Sequence, residues 1–114
     1  MIHMDDLLAT TEGLHHDDLA RWVRDALVTP QEEAGQLLFA DPDRARVRLL
    51  CTLRYTLEIE DDTLPIVLSL LDQLYATRAQ LRTLAAAVAA QDETVQQRIV
   101  TAVGSAFKTS ERAG

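Results

Sequence analysis

A chain of 114 residues with only 4% aromatic content holds one domain with an appended helix or two, and Leu, Val and Ala must fill its modest core. Eighteen acids against eleven bases leave a net charge of −7, which weighs against nucleic acid as a partner unless the bases cluster. The single Cys51 excludes an internal disulfide and a Cys-based zinc cage, no basic-then-apolar leader opens the chain, and no apolar run approaches a membrane span, so a cytoplasmic protein without membrane contact is expected.

In chain order, Met4 to Thr10 predicts a short amphipathic helix, with Thr11-Glu12-Gly13 as its exit. A second helix is predicted from about His16 to Ala26, where Leu19, Trp22, Val23 and Ala26 form one apolar stripe. Asp17 and Asp18 fall in its first turn, where negative charge complements the helix dipole. Trp22 has two readings. The preferred one packs it with Val23 and Leu19 against the first helix and the hairpin; the other exposes it as an anchor for a protein partner. Short strands are expected at Val28 to Gln31 and Gln36 to Phe39, turning at Glu33-Ala34-Gly35.

Asp41 is expected to cap a third helix whose first position is Pro42, where the missing amide proton costs nothing. That helix should run to about Leu57 and bury Leu49, Leu50, Leu53 and Leu57. Arg44, Arg46, Arg48 and Arg54 lie on it, Arg44 and Arg48 sharing a face, and a solvated surface is preferred to a nucleic-acid contact.

Glu58 to Asp62 form an acidic break before a long helix with Pro65 in its first turn. Leu64, Val67, Leu71, Leu74, Arg78, Leu81, Ala85 and Val88 then follow in alternating steps of three and four, the spacing of a coiled-coil seam. Ile66, Leu68 and Leu70 add apolar residues to its N-terminal half, which should be buried on several sides. Past Gln91-Asp92, another amphipathic helix carries Val95, Ile99, Val103 and Phe107 on one face. Residues 1–62 are thus expected to form one domain and residues 63–110 a helical dimerisation arm. A homodimer is expected, with Val67, Leu71, Leu74, Leu81 and Val88 at or near the seam; the competing arrangement folds the last helix back over this stripe within one chain.

Catalytic chemistry finds no footing. His15-His16-Asp17-Asp18 holds metal-competent side chains, but neighbours on a helix diverge and no second ligand follows at four-residue spacing, so no metal is expected. A Gly-rich phosphate loop, a nucleophile elbow and a Ser-His-Asp arrangement are all missing from the sequence. Cys51 amid Leu49, Leu50 and Leu53 reads as a buried, inert thiol. A non-enzymatic protein without a cofactor is the expectation.

Helix, two-stranded wing and helix, leading into a long apolar helix, is the layout of a MerR-type winged helix-turn-helix, a mainly α fold. The helix that would enter the DNA major groove nevertheless begins His15-His16-Asp17-Asp18, setting carboxylates against phosphates. Asp17, Asp18, Asp25, Glu32 and Glu33 suit instead a partner with a basic surface. The chain further carries Gly13-Leu14, Leu19, Val28 to Pro30, Phe39-Ala40-Asp41, Leu53-Arg54 with Leu57 and Ile59, Pro65, and Leu68, Leu70, Leu71, Asp72 and Leu74. In this order, over roughly residues 3 to 90, they resemble the chaperone-modulator (CbpM-type) family, a relative of the MerR winged helix.

That resemblance implies a protein that binds the J-domain of a DnaJ-like (CbpA-type) co-chaperone and blocks its stimulation of the DnaK ATPase. Two departures stand out: His15 replaces the small hydroxyl residue usual at the first cap, and the Val95 to Phe107 helix extends beyond the family's usual end. The alternative is a MerR-like dimeric transcription regulator, using Arg21, Arg24, Arg44, Arg46 and Arg48 on DNA. An interaction domain for an unrelated partner stays open as a third reading.

Overall fold

Short apolar runs, each broken by residues that reverse the chain, give this protein many small elements before its two long helices. The structure, a computed structural model, describes residues 1–113, with side chains up to residue 108. Its elements are strand β1 (Ile2–His3), helices α1 (Met4–Thr10) and α2 (His16–Arg24), strands β2 (Gln31–Glu33) and β3 (Gln36–Phe39), and helix α3 (Asp41–Cys51). A π-helical turn (Thr52–Thr56) continues α3, and helices α4 (Leu64–Ala89) and α5 (Glu93–Ala113) follow. The chain divides into two compact units, Met1–Leu70 and a second beginning at Leu71, so the division falls inside α4.

Helix α2 ends at Arg24, two residues before the predicted end. Ala26 adopts φ 59°, a left-handed conformation that no helix continues through. Its N–H donates to the Val23 carbonyl at 3.1 Å, and the Leu27 N–H donates to the Trp22 carbonyl at 2.8 Å. These two bonds define a Schellman closure, in which Trp22 and Leu27 also sink into the core together.

The sheet is antiparallel and three-stranded, in the order β1-β3-β2. The expected wing had two strands. Ile2 pairs with Phe39 and His3 with Leu38 on the far edge of β3, a ladder too short to leave a periodic signal in the sequence. Between β2 and β3, Ala34 and Gly35 both take positive φ, 52° and 77°, the requirement of a two-residue hairpin loop whose twist matches its strands. The strand expected at Val28 to Gln31 starts only at Gln31: Pro30 has no N–H for a ladder, and Val28 is buried instead in the core.

Ala40, not Asp41, is the N-cap of α3. Its carbonyl accepts from the Arg44 N–H at 3.0 Å, and the Asp43 carboxylate reaches back to accept from the Ala40 N–H at 2.9 Å. Asp41 and Pro42 are therefore the first two helical residues, which still places acids in the first turn and proline where no donor is needed.

At Thr52 the helix widens: the Leu57 N–H donates to the Thr52 carbonyl at 2.9 Å, one residue further than an α-helical bond reaches. Leu53 stays in the core, whereas Leu57, expected to be buried, is 60% exposed. Leu49 is only half-buried, and Val47 takes the inner position beside Leu50. The core of the first unit is completed by Leu64 and Leu68 from the start of α4; Ile66 and Leu70 stay exposed, so burial there is confined to one side of the helix.

The Ala26 conformation yields a direct test. Ala26→Gly should stabilise the fold by about 1 kcal/mol, because glycine relieves the Cβ–carbonyl clash of a left-handed residue and loses only part of that gain to its freer unfolded chain. Urea denaturation should show a higher midpoint at unchanged slope.

Candidate partner surface

The π-helical turn decides how the acids of α2 are used. It carries Tyr55 towards α2, where the Tyr55 hydroxyl donates to Asp18 Oδ2 at 2.5 Å and accepts from the His15 N–H at 3.3 Å. The His15 ring stands edge-on to Tyr55 with centroids 5.5 Å apart. His15 is the N-cap of α2 but makes no side-chain capping bond; its own N–H is the group tied to Tyr55. Burial, and then the Asp18 carboxylate that takes its hydrogen bond, push the Tyr55 phenol well above its ordinary range. Cys51, half-buried, is also pushed up, by burial first and then by the Asp18 charge, which keeps it a thiol at neutral pH.

A second set of ties runs to the acidic break before α4. Asp61 receives Arg21 at 2.5 Å on one carboxylate oxygen and Arg54 at 3.4 Å on the other. Arg21 also lies 3.9 Å from Asp18. Asp61 thereby joins α2, the π-helical turn and the chain before α4. Neither Tyr55 nor Asp61 stood out in the sequence: helical periodicity misplaces residues within and after a π-turn, and Asp61 was one of several acids close together.

The candidate partner residues separate into two groups. Asp18 is committed to Tyr55 and Arg21, and Trp22 is 1% exposed, packed in the core with its ring 6.2 Å from Tyr55. Trp22 is therefore no surface anchor. Asp17 is open, its side chain 96% exposed and its carboxylate 3.4 Å from the exposed His16 ring. Asp25 is exposed 3.8 Å from Arg24, and Glu32 and Glu33 are exposed on β2, at the edge of the sheet. The predicted seam residues divide as well. Val67, Leu71 and Val88 are half-buried, whereas Leu74 and Leu81 are exposed.

Charge is unevenly distributed. Residues 1–70 hold fourteen acids and six arginines, a net of −8, and the remaining residues four acids and five bases, a net of +1. Most of those six arginines are engaged nearby. Arg21 and Arg54 serve Asp61, Arg46 Nε donates to the Leu27 carbonyl, Arg44 lies 3.8 Å from Asp41, and Arg24 lies beside Asp25.

Among the described residues there is no group of three or more His, Cys, Asp or Glu side chains placed to hold a metal, and no helix is long and apolar enough to cross a membrane. Compared with protein-family models, with curated proteins and with solved structures, the chain matches none.

Replacing Tyr55 tests the Asp18 tie. Tyr55→Phe keeps the ring and removes the donor, and should cost about 1.5 kcal/mol, the low end for a bond to a charged group at a half-buried site. Because the folded-state phenol titrates above the unfolded one, this contribution is complete below pH of about 10 and fades above it. Urea melts of both proteins from pH 7 to above pH 10 should show the difference constant and then shrinking.

Proposed function

We propose that this protein is a non-enzymatic chaperone modulator whose first unit is a MerR-like winged helix-turn-helix, with the β2–β3 hairpin as its wing. In this reading it acts in the cytoplasm and binds the J-domain of a DnaJ-like (CbpA-type) co-chaperone. The J-domain helix that engages DnaK is basic, so an acidic surface that covers it would restrain stimulation of the DnaK ATPase.

The observation that carries the reading is the internal use of arginine beside acids left open. A DNA reader needs free cations facing phosphates. Here the arginines of α2, α3 and the π-helical turn are largely tied to carboxylates or a carbonyl of the same unit, while Asp17, Asp25, Glu32 and Glu33 point into solvent. The resemblance in residues 3 to 90 supplies the identity of the partner; the charge distribution supports its sign.

The open acids can be reversed without touching the fold, since they make at most solvent-exposed pairs worth little to stability. The triple variant Asp17→Lys, Glu32→Lys, Glu33→Lys should slow association with a J-domain roughly tenfold at low salt and flatten the salt dependence of the rate. Asp18 is left in place because it holds Tyr55. Stopped-flow binding across a salt series reads both effects. Association indifferent to salt and to the reversal would overturn the acidic-surface mechanism. Retardation of a specific DNA duplex at physiological salt, with no J-domain bound, would replace the modulator reading by the regulator one.

A further inference from the structure

Between the exit of α1 and the C-terminal half of α3 lies an open pocket of about 360 Å³. Helix α3 contributes Arg44 and Arg48, one helical turn apart, and Cys51; α1 and its exit contribute Leu7, Thr11 and Glu12. Leu7 is buried and gives the pocket an apolar base.

The two cations here are poorly used by the protein itself. Arg48 is exposed, and no carboxylate lies within ion-pair distance of it among the described residues. Arg44 has only Asp41, 3.8 Å away and 96% exposed, a separation too long for a hydrogen bond and readily screened by water. Its Nε is buried with no acceptor, the costly condition for a guanidinium donor. A third donor is idle as well. The Thr10 and Thr52 hydroxyls donate to the Asp6 and Arg48 carbonyls at 2.8 and 3.1 Å, whereas the half-buried Thr11 hydroxyl has no partner.

We infer that this pocket binds a small molecule bearing a phosphate monoester, with Arg44 and Arg48 bracketing the phosphate and Thr11 donating to it. The inference is independent of what the open acids of this unit bind. Charge selects the group: a monoester carries nearly two negative charges at neutral pH, matching two guanidiniums, whereas a single carboxylate would leave one of them unused. Size selects the molecule: the pocket has room for roughly ten waters, more than a phosphate group fills, and Leu7 offers an apolar rest for the organic part. Glu12 selects against a nucleic acid. Its exposed carboxylate lines the same pocket, where a continuous polyanion would bring further phosphates against it; a single isolated phosphate can sit on the arginines and avoid it.

Cys51 is the only cysteine, is half-buried and lines the pocket, so its alkylation reports occupancy. The full chain would be treated with the neutral reagent N-ethylmaleimide in the presence of glycerol 1-phosphate or inorganic phosphate, with ionic strength held constant by sodium chloride. Glycerol 1-phosphate should slow the reaction saturably, with a midpoint on the order of 1 mM or below. Inorganic phosphate should protect more weakly, because it lacks the part that rests on Leu7. Arg48→Gln, at a side chain that pairs with nothing, should leave the fold intact and weaken protection about tenfold or more. Arg44→Lys should weaken it too, since the charge remains but the planar fork is lost. Protection by chloride alone, or protection unchanged in Arg48→Gln, would overturn the site. Equal affinity for the two phosphates would overturn the ester in favour of the free ion. Stronger protection by duplex DNA at the same phosphate concentration would overturn the small-molecule assignment in favour of a polyanion.

Discussion

One additional residue in the turn at Thr52–Thr56 sets the orientation of everything between α3 and α4. An uninterrupted α-helix would have continued the apolar stripe through Leu57. The π-helical hydrogen bond instead keeps Leu53 inside, turns Leu57 out and brings Tyr55 to Asp18. With that side chain placed, Arg54 can pair with Asp61, and Asp61 can also take Arg21. The local widening of one helix therefore ties three segments through two carboxylates. Single-turn π-bulges cost some hydrogen-bond quality, and proteins often carry them at functional sites.

The same ties explain why an acidic unit tolerates its own charge. Asp18 and Asp61, the more sheltered acids, each have a hydrogen-bond donor or a guanidinium, as burial of a carboxylate requires. The acids without such partners lie at the surface, where hydration stabilises them. Their cost is mutual repulsion, relieved by a basic ligand or by salt. Charge here is thus sorted by depth, and the exposed fraction faces solvent.

Much of this was legible in the sequence, and the failures have identifiable physical causes. The helices α1, α2 and α4 were readable from three-and-four spacing of apolar residues, and the β2–β3 turn from Ala34-Gly35 between short runs. Periodicity says nothing of a two-residue strand such as β1, whose only warrant is the partner it finds in β3. It also cannot register a π-turn, so Leu57 was placed inside and Tyr55 went unnoticed. Asp41 looked like a cap because it precedes proline, yet Asp43 does the capping from three residues beyond Ala40. In the site, the exposed acids Asp17, Asp25, Glu32 and Glu33 were legible as charge, and the burial of Trp22 was the preferred reading of its apolar stripe; that Asp18 was engaged depended on a contact 37 residues away in the chain.

Two kinds of surface on one chain respond to solution conditions differently. Contacts made by exposed carboxylates act over about 8 Å at physiological ionic strength and weaken as salt is added. Burial of Leu81, Leu84, Val100 and Phe107 removes apolar area from water, a gain that screening leaves untouched and that excluded salts increase. Salt therefore separates the two: a contact made through the open acids of the first unit weakens as salt is added, whereas burial of the apolar residues of the second does not. The composition of each unit thus assigns its interaction a distinct physical origin.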